Sequence, residues 1–109
     1  MSESTENTQI SKEQQDSSKY RTPHPKTLVG ASRHAIVEDK PILLDYWTAS
    51  LDKKAVIGER KNKEKLLVKS SEEFTSPIEK MFSSETDIIV MTQNSIYIVS
   101  KDIQFKRLG

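Results

Sequence analysis

The sequence predicts a single mainly β domain, a small barrel or sandwich of roughly six to seven short strands. The chain has 109 residues, which suits one hydrophobic core. From Thr27 onward, short apolar runs alternate with charged turns, and no segment keeps apolar residues at helical spacing over several turns. We therefore expect strands rather than helices to build the core.

The N-terminal segment, residues 1–26, is polar. Its apolar side chains are Met1, Ile10 and Tyr20. Such a segment cannot bury enough surface to offset an ordering entropy of about 1 to 2 kcal/mol per residue. We therefore predict a disordered N-terminal tail over 1–26 and a small β domain over 27–109. Pro23 and Pro25 would close the tail with an extended step that disfavours helix.

The apolar runs define the expected strands. They are HAIVE at 34–38, PILLDYW at 41–47, AVIGER at 55–60, KLLVK at 65–69, DIIVM at 87–91 and SIYIV at 95–99. A closing run, IQFKRL at 103–108, alternates in polarity, which is typical of a half-buried last strand. The charged pieces between these runs then become turns.

One segment, 76–82, gives a competing helix signal. Ser76 and Glu79 have the spacing of a capping box, and Pro77 would occupy the first helical position. One short helical turn is the alternative there. We favour extended structure, because so short an isolated helix has little intrinsic stability.

The two runs at 87–91 and 95–99 predict a hairpin that is apolar on both faces, because side chains alternate along each strand. Both faces of such a hairpin must be covered, and an exposed apolar edge favours association. Either the sheet curls so that the chain covers both faces itself, or a partner covers one of them. We expect self-association or a protein partner, with a candidate interface formed by Ile89, Met91, Tyr97 and Val99.

The hairpin connection reads Thr92-Gln93-Asn94 and is followed by Ser95. A three-residue loop needs a left-handed residue, and Asn tolerates that conformation well. We expect Asn94 to adopt it. The hydroxyls of Thr92 and Ser95 are expected to bond the turn backbone.

A structural motif links this hairpin to the segment before it. Its residues are Thr75, Ser76, Pro77 and Ile78, followed by Thr92, Asn94, Ser95 and Tyr97. This order resembles a pattern in small, uncharacterised β-rich proteins of large DNA viruses, phages and bacteria, and the resemblance covers roughly residues 41–109. It implies a β fold and a viral accessory or virion-associated protein. It implies no activity, since those families mostly have none assigned.

Composition excludes several classes of function. Seventeen basic and 16 acidic residues give a net charge of +1, so no long-range field steers the protein to a polyanion. The absence of cysteine excludes disulfides, thiolate zinc sites and cysteine nucleophiles. No apolar stretch is long enough to span a membrane. We expect a soluble intracellular protein without membrane contact, in the virion or the host cytoplasm.

No pattern of catalytic or metal-binding residues is found. His24 and His34 lack convergent ligands, and Ser32 beside His34 does not form a nucleophile elbow. The acidic pairs Glu38-Asp39 and Glu72-Glu73 are typical of solvated turns. We therefore predict no enzyme, no catalytic or metal-ligating residue and no cofactor.

The densest charge cluster, ERKNKEK at 59–65, supports an alternative function. Its cations are Arg60, Lys61, Lys63 and Lys65. A basic turn on a small barrel could contact nucleic acid, although Glu59 and Glu64 reduce its charge. Our main prediction is a non-enzymatic small β domain acting through protein–protein contacts. The alternative is a nucleic-acid-binding small β-barrel that uses this basic turn.

Overall fold

The computed structural model describes residues 21–109. The elements are α1 (Pro25–Glu38), β1 (Ile42–Leu43), α2 (Trp47–Leu51), β2 (Val56–Glu59), β3 (Lys65–Val68), β4 (Ile78–Ser84), β5 (Asp87–Thr92), β6 (Ile96–Ser100) and β7 (Gln104–Arg107). Of the tail predicted at 1–26, residues 1–20 lie outside the described residues. The predicted boundary after residue 26 falls inside α1.

The strands form two sheets, one with the order β1-β6-β5-β4 and one with the order β3-β2-β7. Strands β4, β5 and β6 form an antiparallel meander, and β1 adds to it parallel to β6. In the small sheet, β2 pairs antiparallel with β3 and parallel with β7. The mainly β prediction is confirmed, and the architecture is sandwich-like rather than a closed barrel.

One core lies between the two sheets. Its buried members are Tyr46, Ala55, Ile57, Leu67, Ile88, Val90, Val99 and Ile103. The side chains at alternate positions of β5 and β6 face the small sheet, as the pleat of a strand requires. Burial of this apolar surface, at about 25 cal/mol per Å², holds the two sheets together.

A second core lies on the opposite face of the large sheet, beneath α1 and α2. Its buried members are Ala31, Trp47, Ile89, Met91, Ile96 and Ile98. Leu28 and Ala35 of α1 and Leu51 of α2 pack against this cluster. The chain therefore has three layers, with the large sheet in the middle and apolar contacts on both of its faces.

Helix α1 replaces the strand predicted at 34–38, so that prediction is wrong. Pro25 stands at the start of the helix, and the His24 side chain accepts a hydrogen bond from the backbone N–H of Lys26 at 3.0 Å. Asp39 ends the helix in the left-handed conformation, with φ of 56°. Of the two prolines expected to disfavour helix, Pro23 thus lies just before α1 and Pro25 is its first residue.

Two other predictions are corrected, and one is confirmed. Only Ile42–Leu43 of the strand expected at 41–47 is extended, and the chain turns into α2 at Trp47. The extended structure favoured at 76–82 over a helical turn is confirmed, because β4 pairs there with β5. The last strand, β7, is exposed throughout rather than half-buried, and only Ile103 before it is buried.

Candidate interaction surfaces

The residues predicted as an interface lie mostly inside the protein. Ile89, Met91 and Val99 are at most 3% exposed, and Tyr97 is half-buried. Ile89 and Met91 pack beneath the helices, whereas Val99 packs against the small sheet. The chain therefore covers both faces of the hairpin itself, which is the alternative to a partner that covers one of them.

The pairing register of β5 and β6 shows that the predicted interface residues lie on different faces of the sheet. Ile89 pairs with Ile98, and Val90 pairs with Tyr97. Directly paired residues point to the same face of a sheet. Tyr97 therefore lies on the face opposite to Ile89, so the predicted interface residues never formed one surface.

The motif residue Thr75 is structural. It is buried, its hydroxyl oxygen accepts a hydrogen bond from the Leu67 N–H at 3.1 Å, and the hydroxyl donates to the Ser76 carbonyl at 2.8 Å. The Thr75 N–H also donates to the Leu67 carbonyl at 2.9 Å. Thr75 thus extends the edge of β3, while Ser76 and Pro77 are exposed and Ile78 begins β4.

The second half of the motif closes the β5–β6 hairpin. The Thr92 hydroxyl oxygen accepts a hydrogen bond from the Ser95 N–H at 3.2 Å, and the Thr92 N–H donates to the Ser95 carbonyl at 2.9 Å. This closes a four-residue turn instead of the expected three-residue loop. Asn94 is not among the residues with positive φ, so its predicted left-handed conformation is wrong. Its position in the turn is exposed.

Both histidines have structural partners. The His34 ring stacks on Phe82 of β4, with 4.6 Å between ring centroids. The Nε2 atom of His24 lies 3.7 Å from the Glu85 carboxylate. Within residues 21–109, no group of three or more His, Cys, Asp or Glu side chains comes together to hold a metal ion.

The two tyrosines of the core are poorly suited to proton transfer near neutral pH. Tyr46 and Tyr97 meet edge to face, with 5.5 Å between ring centroids. Burial, followed by the negative charges of Glu73 and Asp45, raises the pKa of Tyr46 to about 12. Burial is also the main cause that raises the pKa of Tyr97. Both phenols therefore stay protonated under ordinary conditions.

The α1 outer face is the most apolar exposed surface of the described helices. We define it as Val29, Arg33, Ile36 and Val37, which share one side of the helix because they are separated by about one or two turns. Ile36 is 80% exposed and Val37 is 77% exposed. The opposite side of α1, with Thr27 and Ala31, packs on the sheet. The fully buried residues of the helix are thus small, whereas its large β-branched residues Ile36 and Val37 point outward.

A second surface, the basic end, forms at the end of the small sheet where β2 and β7 finish and β3 begins. Its cations are Arg60, Lys61, Lys63, Lys65, Lys106 and Arg107. In the register, Glu59 pairs with both Lys65 and Arg107. The four cations predicted from the turn therefore lie together, and the fold adds two from β7. A cleft at this end is lined by residues from the turn and from the end of β7.

The sequence carried only part of the signal for each surface. Val29, Ile36 and Val37 recur at helical spacing. They point to solvent, so the usual rule that an apolar stripe marks the buried face of a helix does not identify this helix. The pairing of β7 with β2 joins segments far apart in sequence, and no local pattern encodes it. Lys106 and Arg107 were therefore missed.

Two further findings concern the chain as a whole. Neither described helix is long and apolar enough to cross a membrane. Comparison with protein-family models, curated proteins and solved structures finds no match to this chain.

Proposed function

We propose that this protein is a non-enzymatic small β domain that acts through protein–protein contacts made by the α1 outer face. The observation that carries the proposal is the 80% exposure of Ile36 beside the 77% exposure of Val37. An isolated exposed apolar residue is ordinary, but several grouped on one rigid element are typical of an interaction site.

The helix gains nothing from these residues on its own. β-Branched side chains lower helix propensity, and polar residues at exposed positions would favour both helix and solubility. The inner side of α1 already holds the helix on the large sheet through Leu28, Ala31 and Ala35. The outward residues Val29, Ile36 and Val37 are therefore free to contact another protein.

The charges beside the α1 outer face support one kind of partner over another. Lys26 and Arg33 flank the apolar residues of the α1 outer face, and both are exposed. An antiparallel pairing with α1 of a second copy would bring the two Arg33 side chains near each other, which is unfavourable. We therefore propose a different protein, with an apolar groove for this helix and carboxylates along the rim.

The Thr75–Tyr97 motif supports a biological setting for this function. Its resemblance to β-rich proteins of large DNA viruses and phages favours a viral accessory or virion-associated protein. The structural roles of Thr75 and Thr92 are compatible with that resemblance, since they maintain the fold.

The test is site-specific photo-crosslinking from position 37 in the source cells, with mass spectrometry of the product. The same experiment is repeated with Ile36→Lys, and with Leu44→Lys as a matched control, because Leu44 is 48% exposed and lies outside α1. We expect a defined protein product that Ile36→Lys abolishes and Leu44→Lys retains.

Two other measurements make the proposal falsifiable. Light scattering of the purified protein is expected to show a monomer. A dimer that Ile36→Lys abolishes would overturn the proposed partner, because a second copy of this chain would then occupy the α1 outer face. Flotation with anionic vesicles is expected to leave the protein unbound. Strong vesicle binding through Ile36, without a protein product, would overturn the proposal.

A further inference from the structure

The basic end brings together cations that are distant in sequence. The Leu108 N–H donates to the Glu59 carbonyl at 2.8 Å, which keeps the last residues of β7 beside the β2–β3 turn. Within the turn, the Arg60 N–H donates to the Glu64 carbonyl at 2.8 Å and the Lys63 N–H donates to the Arg60 carbonyl at 2.9 Å. Backbone hydrogen bonds therefore hold the segments that bear these cations in place.

This end holds the excess positive charge of the described chain. Its six cations face two carboxylates, Glu59 and Glu64, whereas the other described residues comprise nine Lys and Arg against ten Asp and Glu. Ion pairs here join Arg60 to Glu64 at 3.5 Å and Arg107 to Glu59 at 4.0 Å. Within residues 21–109, no ion pair involves Lys61, Lys63 or Lys106, so these charges can meet an anion.

An aromatic ring lies beside these cations. Phe105 on β7 is 57% exposed, the most exposed aromatic of the described residues. It lines a cleft together with three cations, Lys65, Lys106 and Arg107, and with Ile57 and Glu59. Burying Phe105 would be favourable, but here the ring stays in water next to positive charge. A flat exposed ring among cations is the arrangement on which an unpaired base stacks.

From these observations we propose that the basic end binds single-stranded nucleic acid, with Phe105 stacking on a base while Lys61, Lys63 and Lys106 contact phosphates. This interaction goes beyond the protein contact proposed for α1. A duplex fits less well, because its base faces are already stacked and cannot reach Phe105. No helix carries these cations, so insertion into a major groove is not part of the proposal.

The test is fluorescence anisotropy with labelled oligo-dT, oligo-rU and a duplex of mixed sequence, from about 50 to 200 mM salt. The full chain is expected to bind single strands more tightly than the duplex. Phe105→Leu is expected to weaken single-strand binding about tenfold and to leave duplex binding unchanged, because stacking is lost and charge is kept.

Charge variants give an independent readout. Replacing Lys61 and Lys106 together by Gln is expected to weaken binding to every probe and to lower the slope of log K against log salt by about one to two. Lys53→Gln with Lys54→Gln removes the same charge from another exposed turn and is the matched control. This control is expected to change neither the affinity for the probes nor the slope of log K against log salt.

Failure of this proposal is distinguishable from failure of the α1 contact. Ile36→Lys is expected to leave nucleic-acid binding unchanged, and thermal unfolding checks that each variant is folded. No binding at about 50 mM salt would overturn the proposal. It would also be overturned if heparin and duplex bound as tightly as single strands and Phe105→Leu had no effect, since the surface would then be a non-specific polyanion patch.

Discussion

The backbone N–H of His24 donates a 2.8 Å hydrogen bond to the carboxylate of Asp87, across 63 residues of sequence. Asp87 is fully buried, and the Thr86 hydroxyl donates to its other oxygen at 3.2 Å. This carboxylate therefore joins the start of α1 to the start of β5. It fixes the helix whose outer face is the proposed contact surface.

We expect Asp87→Ala to lower the free energy of unfolding by about 1 to 3 kcal/mol, because it leaves the His24 N–H without its acceptor. Asp102→Ala, at an exposed position, is the control and is expected to change stability by less than about 0.5 kcal/mol. Urea denaturation followed by circular dichroism measures both. Equal stability of the two variants would contradict a structural role for Asp87.

Thr75→Val tests whether the structure of the motif segment depends on the hydroxyl of Thr75 rather than on the size of its side chain. The change removes the acceptor of the Leu67 N–H, which is buried, and we expect a loss of about 1 to 3 kcal/mol. The neighbouring Ser76 is exposed, so Ser76→Ala is expected to be nearly neutral. Thermal unfolding of both variants compares them. A larger effect of Ser76→Ala would show that we assigned the wrong residue of the motif.

Gly58 allows the Leu108 side chain to lie over β2. A Cβ atom at Gly58 would lie 2.6 to 2.9 Å from three carbons of that side chain, so Leu108 would have to move. We expect Gly58→Ala to cost about 1 kcal/mol in the native chain and much less in a Leu108→Ala background. A double-mutant cycle by urea denaturation measures this coupling. Additive effects would mean that the close approach carries no energy.

Alkaline pH is expected to destabilise the fold through the core tyrosines. The pKa of Tyr46 is raised to about 12, chiefly by burial, so between pH 10 and 12 the unfolded phenol loses its proton while the folded phenol keeps it. The stability that the Tyr46 phenol contributes is fully present below pH 10. The free energy of unfolding falls by about 2 to 3 kcal/mol as pH rises through this window. Tyr46→Phe should remove most of the loss, as measured by unfolding at pH 9 and 11. An unchanged pH dependence in Tyr46→Phe would exclude Tyr46 as its cause.

Lys63 occupies a position of the β2–β3 turn that favours glycine, with φ of 76°. Lys63→Gly is expected to raise stability by about 0.5 to 1 kcal/mol, because it relieves this backbone strain. Lys61→Gly, at a turn position without positive φ, is the control and is expected to give no gain. Thermal unfolding of the two variants compares them, and a gain in both would argue against relief of strain.

Alternation of side chains along strands predicted most of the sheet. The segments around Ile89 and Ile98 fold as the expected antiparallel hairpin, because each is a short apolar run rich in β-branched residues and the two are adjacent in sequence. The register was harder to predict. It depends on a four-residue turn from Thr92 to Ser95, and that turn sets which residues share a face.

Helix α1 could not be predicted from its apolar residues, because they are arranged opposite to the usual pattern. Small residues such as Thr27 and Ala31 face the sheet, which allows close packing, while Ile36 and Val37 face solvent. β-Branched residues at 36 and 37 also favour a strand locally. The choice between helix and strand was therefore made by tertiary packing on the large sheet, which the local sequence does not contain.

The two parallel pairings determine how this chain must fold. Strand β1 joins β6, and β2 joins β7, across long stretches of intervening sequence. Contacts of this kind form late, because closing long loops costs entropy before the contacts are gained. The local meander of β4, β5 and β6 can form first and act as the nucleus. The basic end would then be completed only when β7 docks, so the nucleic-acid binding proposed for that end would report the docking of β7 on β2.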